Sequence, residues 1–208
     1  MSARWHCTSL FILRYSGGVR IKVFAAILII GFLTVTLGVY AKGPRFLNTN
    51  NDIALPEDYR EWIFLSSGLG MSYGAVDSAR AENPRFDNVF VTPEAYRAFM
   101  KTGTWPNGTM FVLEIRQSKG SESINKSGRI QDAVVSVEAE VKDDTRFATK
   151  WGFYTFPDGS KTGKLLPTAT TECFTCHSQH GAVDNTFVQF YPTLFEVAKK
   201  KGTVKKNY

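Results

Sequence analysis

Cys173-Phe174-Thr175-Cys176-His177 gathers two thiols and an imidazole into one short stretch of chain. In the pattern C-x-x-C-H the thiols add across the two vinyl groups of a porphyrin, and the imidazole that follows binds its iron from one face. The chemistry expected is therefore that of one haem c, covalent through Cys173 and Cys176, with His177 as the proximal iron ligand. A zinc site would need a second pair of ligands, and outside the motif only Cys7, His6 and His180 remain. A thioredoxin-like dithiol would need a βαβ setting, which the flanking sequence does not supply.

The ligand count then narrows the other face of the iron. His180 follows His177 by about one helical turn, which keeps it on the proximal side, and His6 lies in the amino-terminal leader. A sixth ligand is left to Met71, Met100, Met110, a lysine or a small molecule from outside. Met100 falls on the apolar face of a short helix and Met110 starts a strand, positions that methionine takes as core filler. Met71, in Gly68-Leu69-Gly70-Met71, remains as the protein-derived candidate. The arrangement expected is a five-coordinate iron facing an open, apolar cavity.

The elements that must position this site read as an α+β, β-rich fold: an antiparallel sheet with peripheral short helices around one covalently bound haem. Pro56 to Leu65 is expected as a first helix, with Glu57 and Asp58 in its first turn and Tyr59, Trp62, Ile63 and Phe64 as its apolar face. A Gly-rich turn follows over Ser66 to Gly74. Asn88 to Val91 is a short strand, Thr92-Pro93-Glu94 caps a helix that stops at Gly103, and Trp105-Pro106-Asn107-Gly108 is a tight turn. Thr109 to Arg116, Ala133 to Lys142 and Trp151 to Phe156 read as strands, and Pro192 to Lys200 as a terminal amphipathic helix.

Alternation assigns faces to these strands. Phe111, Leu113 and Ile115 share one side of the first long strand. In the second, Val135, Val137, Ala139 and Val141 oppose Ser136, Glu138, Glu140 and Lys142, so the carboxylates are expected on the wet face unless that side walls the haem cavity. Phe111 and Leu113 are candidates for the distal wall, with Phe86 beside them. Arg85 could hydrogen-bond a bound ligand, and Glu138 could relay a proton.

The amino terminus is read as an address. Arg4, Arg14, Arg20 and Lys22 precede an uncharged apolar run from Val23 to Tyr40, and Val39-Tyr40-Ala41 is an acceptable cleavage site. Residues 1–41 are thus a signal peptide, or a signal anchor if uncleaved, since the run is near the length that spans a bilayer. The body is expected in the periplasm: a linker over 42–55, a haem domain over 56–202 and a basic tail over 203–208. Without the leader the 25 basic residues fall to 21 against 19 acidic. The basic balance that hints at nucleic acid disappears with it, and Lys199-Lys200-Lys201 and Lys205-Lys206 read as solvated tail or as a docking point for an acidic redox partner.

Several blocks occur in a recognisable order: Asp58-Tyr59-Arg60-Glu61-Trp62, Asn88-Val89-Phe90-Val91, Gly103-Thr104-Trp105-Pro106-Asn107-Gly108-Thr109, the haem motif, His180-Gly181-Ala182-Val183-Asp184 and Phe187-Val188-Gln189-Phe190-Tyr191-Pro192. In these blocks the chain resembles the cytochrome P-460 family, which includes cytochrome c′-beta. The resemblance implies a β-rich homodimer with one five-coordinate c-type haem per subunit, open to small nitrogenous ligands. Cytochrome P-460 proper carries a lysine, in the strand after the Gly-Thr turn, that bonds to the porphyrin edge and is tied to hydroxylamine oxidation. Here Leu113 stands where that lysine is expected, and none of residues 109–116 is lysine; Lys119 and Lys126 fall in the polar stretch that follows. Two readings stay open: a cytochrome that binds nitric oxide or a related ligand, or passes electrons to a redox partner, and a haem-dependent oxidoreductase acting on hydroxylamine.

Overall fold

A computed structural model describes residues 43–75, 78–167 and 172–208. The leader over 1–41 and its apolar run lie outside the described residues, so the expectations of cleavage and anchoring have no structural counterpart. Seven strands form one antiparallel sheet: β1 (Ile53–Ala54), β2 (Ile63–Leu69), β3 (Phe86–Val91), β4 (Met110–Lys119), β5 (Ile130–Lys142), β6 (Trp151–Thr155) and β7 (Thr162–Leu165). Their spatial order is β1-β7-β6-β5-β4-β3-β2. From β2 to β7 the chain is a meander, each strand pairing with the next, and β1 closes the far edge against β7. The helices are α1 (Ser78–Glu82), α2 (Pro93–Thr102), α3 (Glu172–His180) and α4 (Pro192–Lys201).

Local chemistry explains much of this. Helix α2 has Pro93 at its start, Glu94 in its first turn and Gly103 in the left-handed conformation at its end, where the Gly103 N–H caps the Phe99 carbonyl. The Thr92 hydroxyl, expected as the cap, makes no capping hydrogen bond. Gly108, at φ 81°, ends the tight turn that launches β4.

The expected helix over Pro56 to Leu65 is not formed. One 3₁₀ turn covers Tyr59–Glu61, Trp62 becomes extended, and Ile63 onward is β2, paired with β3 from Ile63–Val91 to Leu69–Phe86. A short apolar run fits either period, and here an open sheet edge offers a ladder of backbone hydrogen bonds that a two-turn helix cannot match. The 42–55 segment, expected as a linker, contributes β1: Ile53 is fully buried, and Asp52 pairs with Lys164 at 2.6 Å.

Both faces of the sheet are covered. On one, Phe99, Phe111, Trp151, Val188 and Leu194 build a core under α2 and α4. On the other, Ile53, Met110, Val112, Val141 and Tyr154 build a second core. Each fully buried side chain of this size contributes about 1.5–3 kcal/mol. The alternation expected for β4 and β5 holds in register, since Phe111 pairs with Glu140 and Leu113 with Glu138. Neither face is simply wet, however, because the segment before β2 covers the side opposite the helices.

Residues 203–208, expected as a solvated tail, are fastened down. The Thr203 hydroxyl donates to the Gly103 carbonyl at 2.7 Å, and the Lys205 N–H donates to the Ala182 carbonyl at 2.8 Å. The Lys205 ammonium donates to the Ser178 and Gln179 carbonyls at the end of α3, where a cation suits the helix dipole. Deleting 203–208 is expected to cost about 1–2 kcal/mol, roughly 3–6 °C in thermal denaturation; an unchanged midpoint would show these contacts to be idle.

Candidate functional site

Helix α3 carries the motif. Spacings of three and four residues place Cys173, Cys176 and His177 on one helical face, and all three line a cavity of about 390 Å³. That size is within the range of small-molecule and cofactor sites. Both thiols are free. Burial, and next the Glu138 carboxylate, hold the Cys173 thiol above its ordinary range, so it stays protonated at neutral pH.

The sheet supplies the opposite wall through one face of its central strands: Val89 of β3, Phe111 and Leu113 of β4, Glu138 and Glu140 of β5, and Phe153 of β6. Tyr73, Leu166, Phe187 and Tyr191 add to the lining, as do Ala139, Tyr154 and Glu172. The Glu138 and Glu140 side of β5 therefore forms the cavity wall, with Glu140 inside it and Glu138 at its solvent-exposed rim. Burial, with Asp87 adding to it, raises the Glu138 carboxyl above its ordinary range, and burial alone pushes Glu140 up to about 8.

His177 is held with care. Its Nδ1 lies 3.0 Å from the Asn185 backbone carbonyl, and its ring sits between Phe153 and Phe187, with centroids at 4.9 and 4.4 Å. Burial pushes the imidazole down to about 4, against the opposing effect of the Asn185 hydrogen bond. A neutral ring whose Nδ1–H donates to a carbonyl keeps its Nε2 lone pair for a metal, the usual preparation of an imidazole ligand. Glu140 Oε2 approaches the same Nδ1 at 3.3 Å. With a neutral imidazole and a protonated acid this is not an ion pair, and that buried oxygen has no hydrogen-bond partner.

The Asn185 carbonyl comes from the loop after α3, and that loop is folded tightly onto the helix end. The Gly181 N–H donates to the His177 carbonyl at 2.9 Å. A Cβ at Gly181 would lie 2.5 Å from that same oxygen and 2.6 Å from the Asn185 carbonyl carbon, so only glycine fits. Asp184 and Asn185 both adopt positive φ, which these residue types tolerate better than most.

Of the residues singled out from the sequence, Phe111, Leu113 and Glu138 fall together on the cavity wall with Cys173, Cys176 and His177. Arg85 and Phe86 do not. Arg85 is exposed at the entry to β3, and Phe86 has the opposite parity to Val89, whose partner is Leu113, so it faces away from the cavity. Met71 packs over Gly68, Met100 is partly exposed on α2, and Met110 is buried in the core on the other side of the sheet. Among the described residues lining the cavity there is no methionine, lysine or arginine, and no histidine beyond His177. Sequence reasoning missed Val89, Phe153 and Tyr191, for which strand parity or an aromatic beside the motif was the available signal. It also missed the Asn185 carbonyl, for which a side-chain sequence carries none.

The residues present fit a haem: two reduced thiols and a neutral imidazole on one helix face a large, mostly apolar cavity. A family model described as cytochrome P460 matches residues 56–188, spanning the sheet from β2 onward, the haem motif and its loop. No curated protein matches the chain. The order of blocks, the antiparallel sheet and the motif on α3 agree with that match, and the chain belongs to the cytochrome P460 family.

Proposed function

We propose that this chain is an exported mono-haem cytochrome that takes up a small nitrogenous ligand such as nitric oxide, exchanges electrons with a redox partner protein, or does both. One haem c would be covalent through Cys173 and Cys176, with His177 Nε2 on the iron. When bound, the haem supplies an iron that changes oxidation state and accepts a diatomic ligand.

The residues of the chain supply the rest. The Asn185 carbonyl holds the Nδ1 proton and so fixes the imidazole tautomer. Phe111, Leu113 and Val89 keep the wall apolar and exclude water. The observation that carries the reading is that, among the described residues, this lining holds no methionine, no lysine and no histidine beyond His177, which leaves room for an exogenous ligand. The basic leader and apolar run support export to the periplasm. The open β2 edge, with Phe64 and Leu69 about half exposed, suits the homodimer that the family resemblance implies.

Titrating the ferrous holoprotein with nitric oxide is expected to shift its Soret band with a single isosbestic set and saturation at one ligand per chain. An unchanged spectrum would overturn ligand binding and leave electron transfer.

The second reading, hydroxylamine oxidation, is favoured by one feature: Glu138 on the cavity wall has the raised affinity for a proton expected of a group that accepts and returns one. Against it, Leu113 stands where the cross-linking lysine is expected, and no lysine lines the cavity among the described residues. A pyridine haemochrome spectrum of an ordinary c-type haem, with no hydroxylamine turnover in the presence of an artificial acceptor, sets this reading aside.

A further inference from the structure

Three sequence blocks far apart in the chain converge on the loop behind His177. Lys142, the last residue of β5, is buried at 7% exposure. Its ammonium donates to Asp184 Oδ2 at 2.5 Å and to the Trp105 carbonyl at 2.8 Å. The Trp105 indole N–H donates to the Thr186 hydroxyl at 2.9 Å, and that hydroxyl donates to the Val183 carbonyl at 2.7 Å. Trp105 and Thr186 are buried as well. Asp184 and Thr186 are the two residues that flank Asn185. Of the side chains on either side of the carbonyl that meets the His177 imidazole, Thr186 is thus tied to the turn before β4, and Asp184 to the end of β5, whose lysine also reaches that turn.

We propose that Lys142, Asp184, Trp105 and Thr186 form a brace that sets the Asn185 carbonyl against His177 Nδ1 and thereby tunes the bond between the imidazole and the iron. The four are positioning residues, since none lines the cavity. The inference rests on the reading of His177 as the iron ligand. Its physical basis is that an acceptor on Nδ1 increases the donor strength of the ring at Nε2, and that partners of this kind commonly change metal-centre properties when removed. Asn185 is in the left-handed region, so its backbone does not rest there by preference alone. Backbone hydrogen bonds between Val183 and Thr186 close the loop on itself, and the side-chain ties at Asp184 and Thr186 are what fix it to the sheet and the turn before β4. Glu140 does not substitute for it, because its nearby oxygen makes no hydrogen bond.

The test uses holoprotein of the wild type, Lys142→Met, Asp184→Asn and Thr186→Val, with Lys199→Met as a control from the exposed Lys199–Glu196 pair on α4. The readout is the iron–imidazole stretching band of the ferrous protein in resonance Raman, together with the rate at which the imidazole leaves the iron under excess nitric oxide. In the brace variants the band is expected to move to lower frequency and the release to quicken by roughly tenfold, with the control unchanged. A brace that is only structural would lower the melting temperature and leave the band in place; a band that stays or moves upward overturns the proposal. Should Lys142→Met fail to fold, Asp184→Asn, which strips the charge from the tie to Lys142, and Thr186→Val, which removes the acceptor of the Trp105 indole N–H, decide the matter at nearly constant shape. A wild type without any iron–imidazole band defeats the reading of His177 and the brace with it, whereas a wild-type band that the variants leave unmoved defeats the brace alone.

Discussion

In a host competent for cytochrome c maturation the wild type is expected to gain the mass of one porphyrin, and replacing both Cys173 and Cys176 with alanine is expected to abolish that gain. The argument is geometric. Both thiols lie on the same face of α3, both line the cavity and both are free, and the described sheet offers no third thiol to take over. Loss of the anchor also leaves a cavity of about 390 Å³ without the apolar body that would fill it. Because stability falls with empty volume and rises with tight binding to the native state, the double variant is expected to lose on the order of 5 kcal/mol relative to the holoprotein, roughly 10–20 °C in melting temperature. Intact-mass spectrometry and thermal denaturation check the two halves separately. A wild type of unmodified mass would sink the covalent assignment, and a double variant whose porphyrin survives denaturation would show that the attachment lies elsewhere.

Glu114→Gln is expected to have a large effect for a substitution of nearly constant shape away from the cavity. The Glu114 side chain is 2% exposed on the sheet face opposite the cavity. It accepts hydrogen bonds from the Tyr59 hydroxyl, from Arg60 through Nε at 2.8 Å and from Arg116 through Nε at 2.5 Å. Burial works to raise this carboxyl, but the hydrogen bonds from Arg116, Tyr59 and Arg60 outweigh it and hold the group below its ordinary value. Breaking one side of a buried, charge-assisted cluster costs about 3–5 kcal/mol; with Arg60 half exposed the lower end, about 3 kcal/mol, is expected.

The sign of the pH dependence follows from the lowered value. The folded protein releases this proton more readily than the unfolded chain, so the stabilisation is present above the unfolded carboxyl's pKa of about 4.5 and is lost as pH falls through the lower folded value. Denaturant midpoints of wild type and Glu114→Gln should therefore differ most near neutral pH and converge in acid. Equal midpoints at neutral pH would show that the cluster contributes nothing net.

How much of this was legible in advance differs from residue to residue. The C-x-x-C-H motif is contiguous, so the placement of its two thiols and imidazole on one helical face follows from spacing alone. Helix α2 and the turn at Trp105 to Gly108 were legible for the same reason: Pro93, Gly103 and Gly108 act through their own backbone preferences. The segment Ile63–Leu69 was not, because its apolar spacing suits a helix as well as a strand, and only the unpaired edge of β3 chose between them. Phe86 was misplaced for want of a register. Once Val89 is known to face Leu113, parity sends Phe86 to the other side.

The sequence by itself determined the family and the class of fold: two thiols and an imidazole at fixed spacing, alternating strands, and turn and cap residues whose preferences are local. Only the tertiary structure decided which face of the sheet would be the cavity. It put Glu140 in the wall and Glu138 at the rim, buried Lys142 against Asp184, and brought the Asn185 carbonyl to His177. The physical reason is that these outcomes depend on pairings between distant segments and on a backbone atom common to every residue, and alternation can sort a strand into two faces without saying what will cover either one.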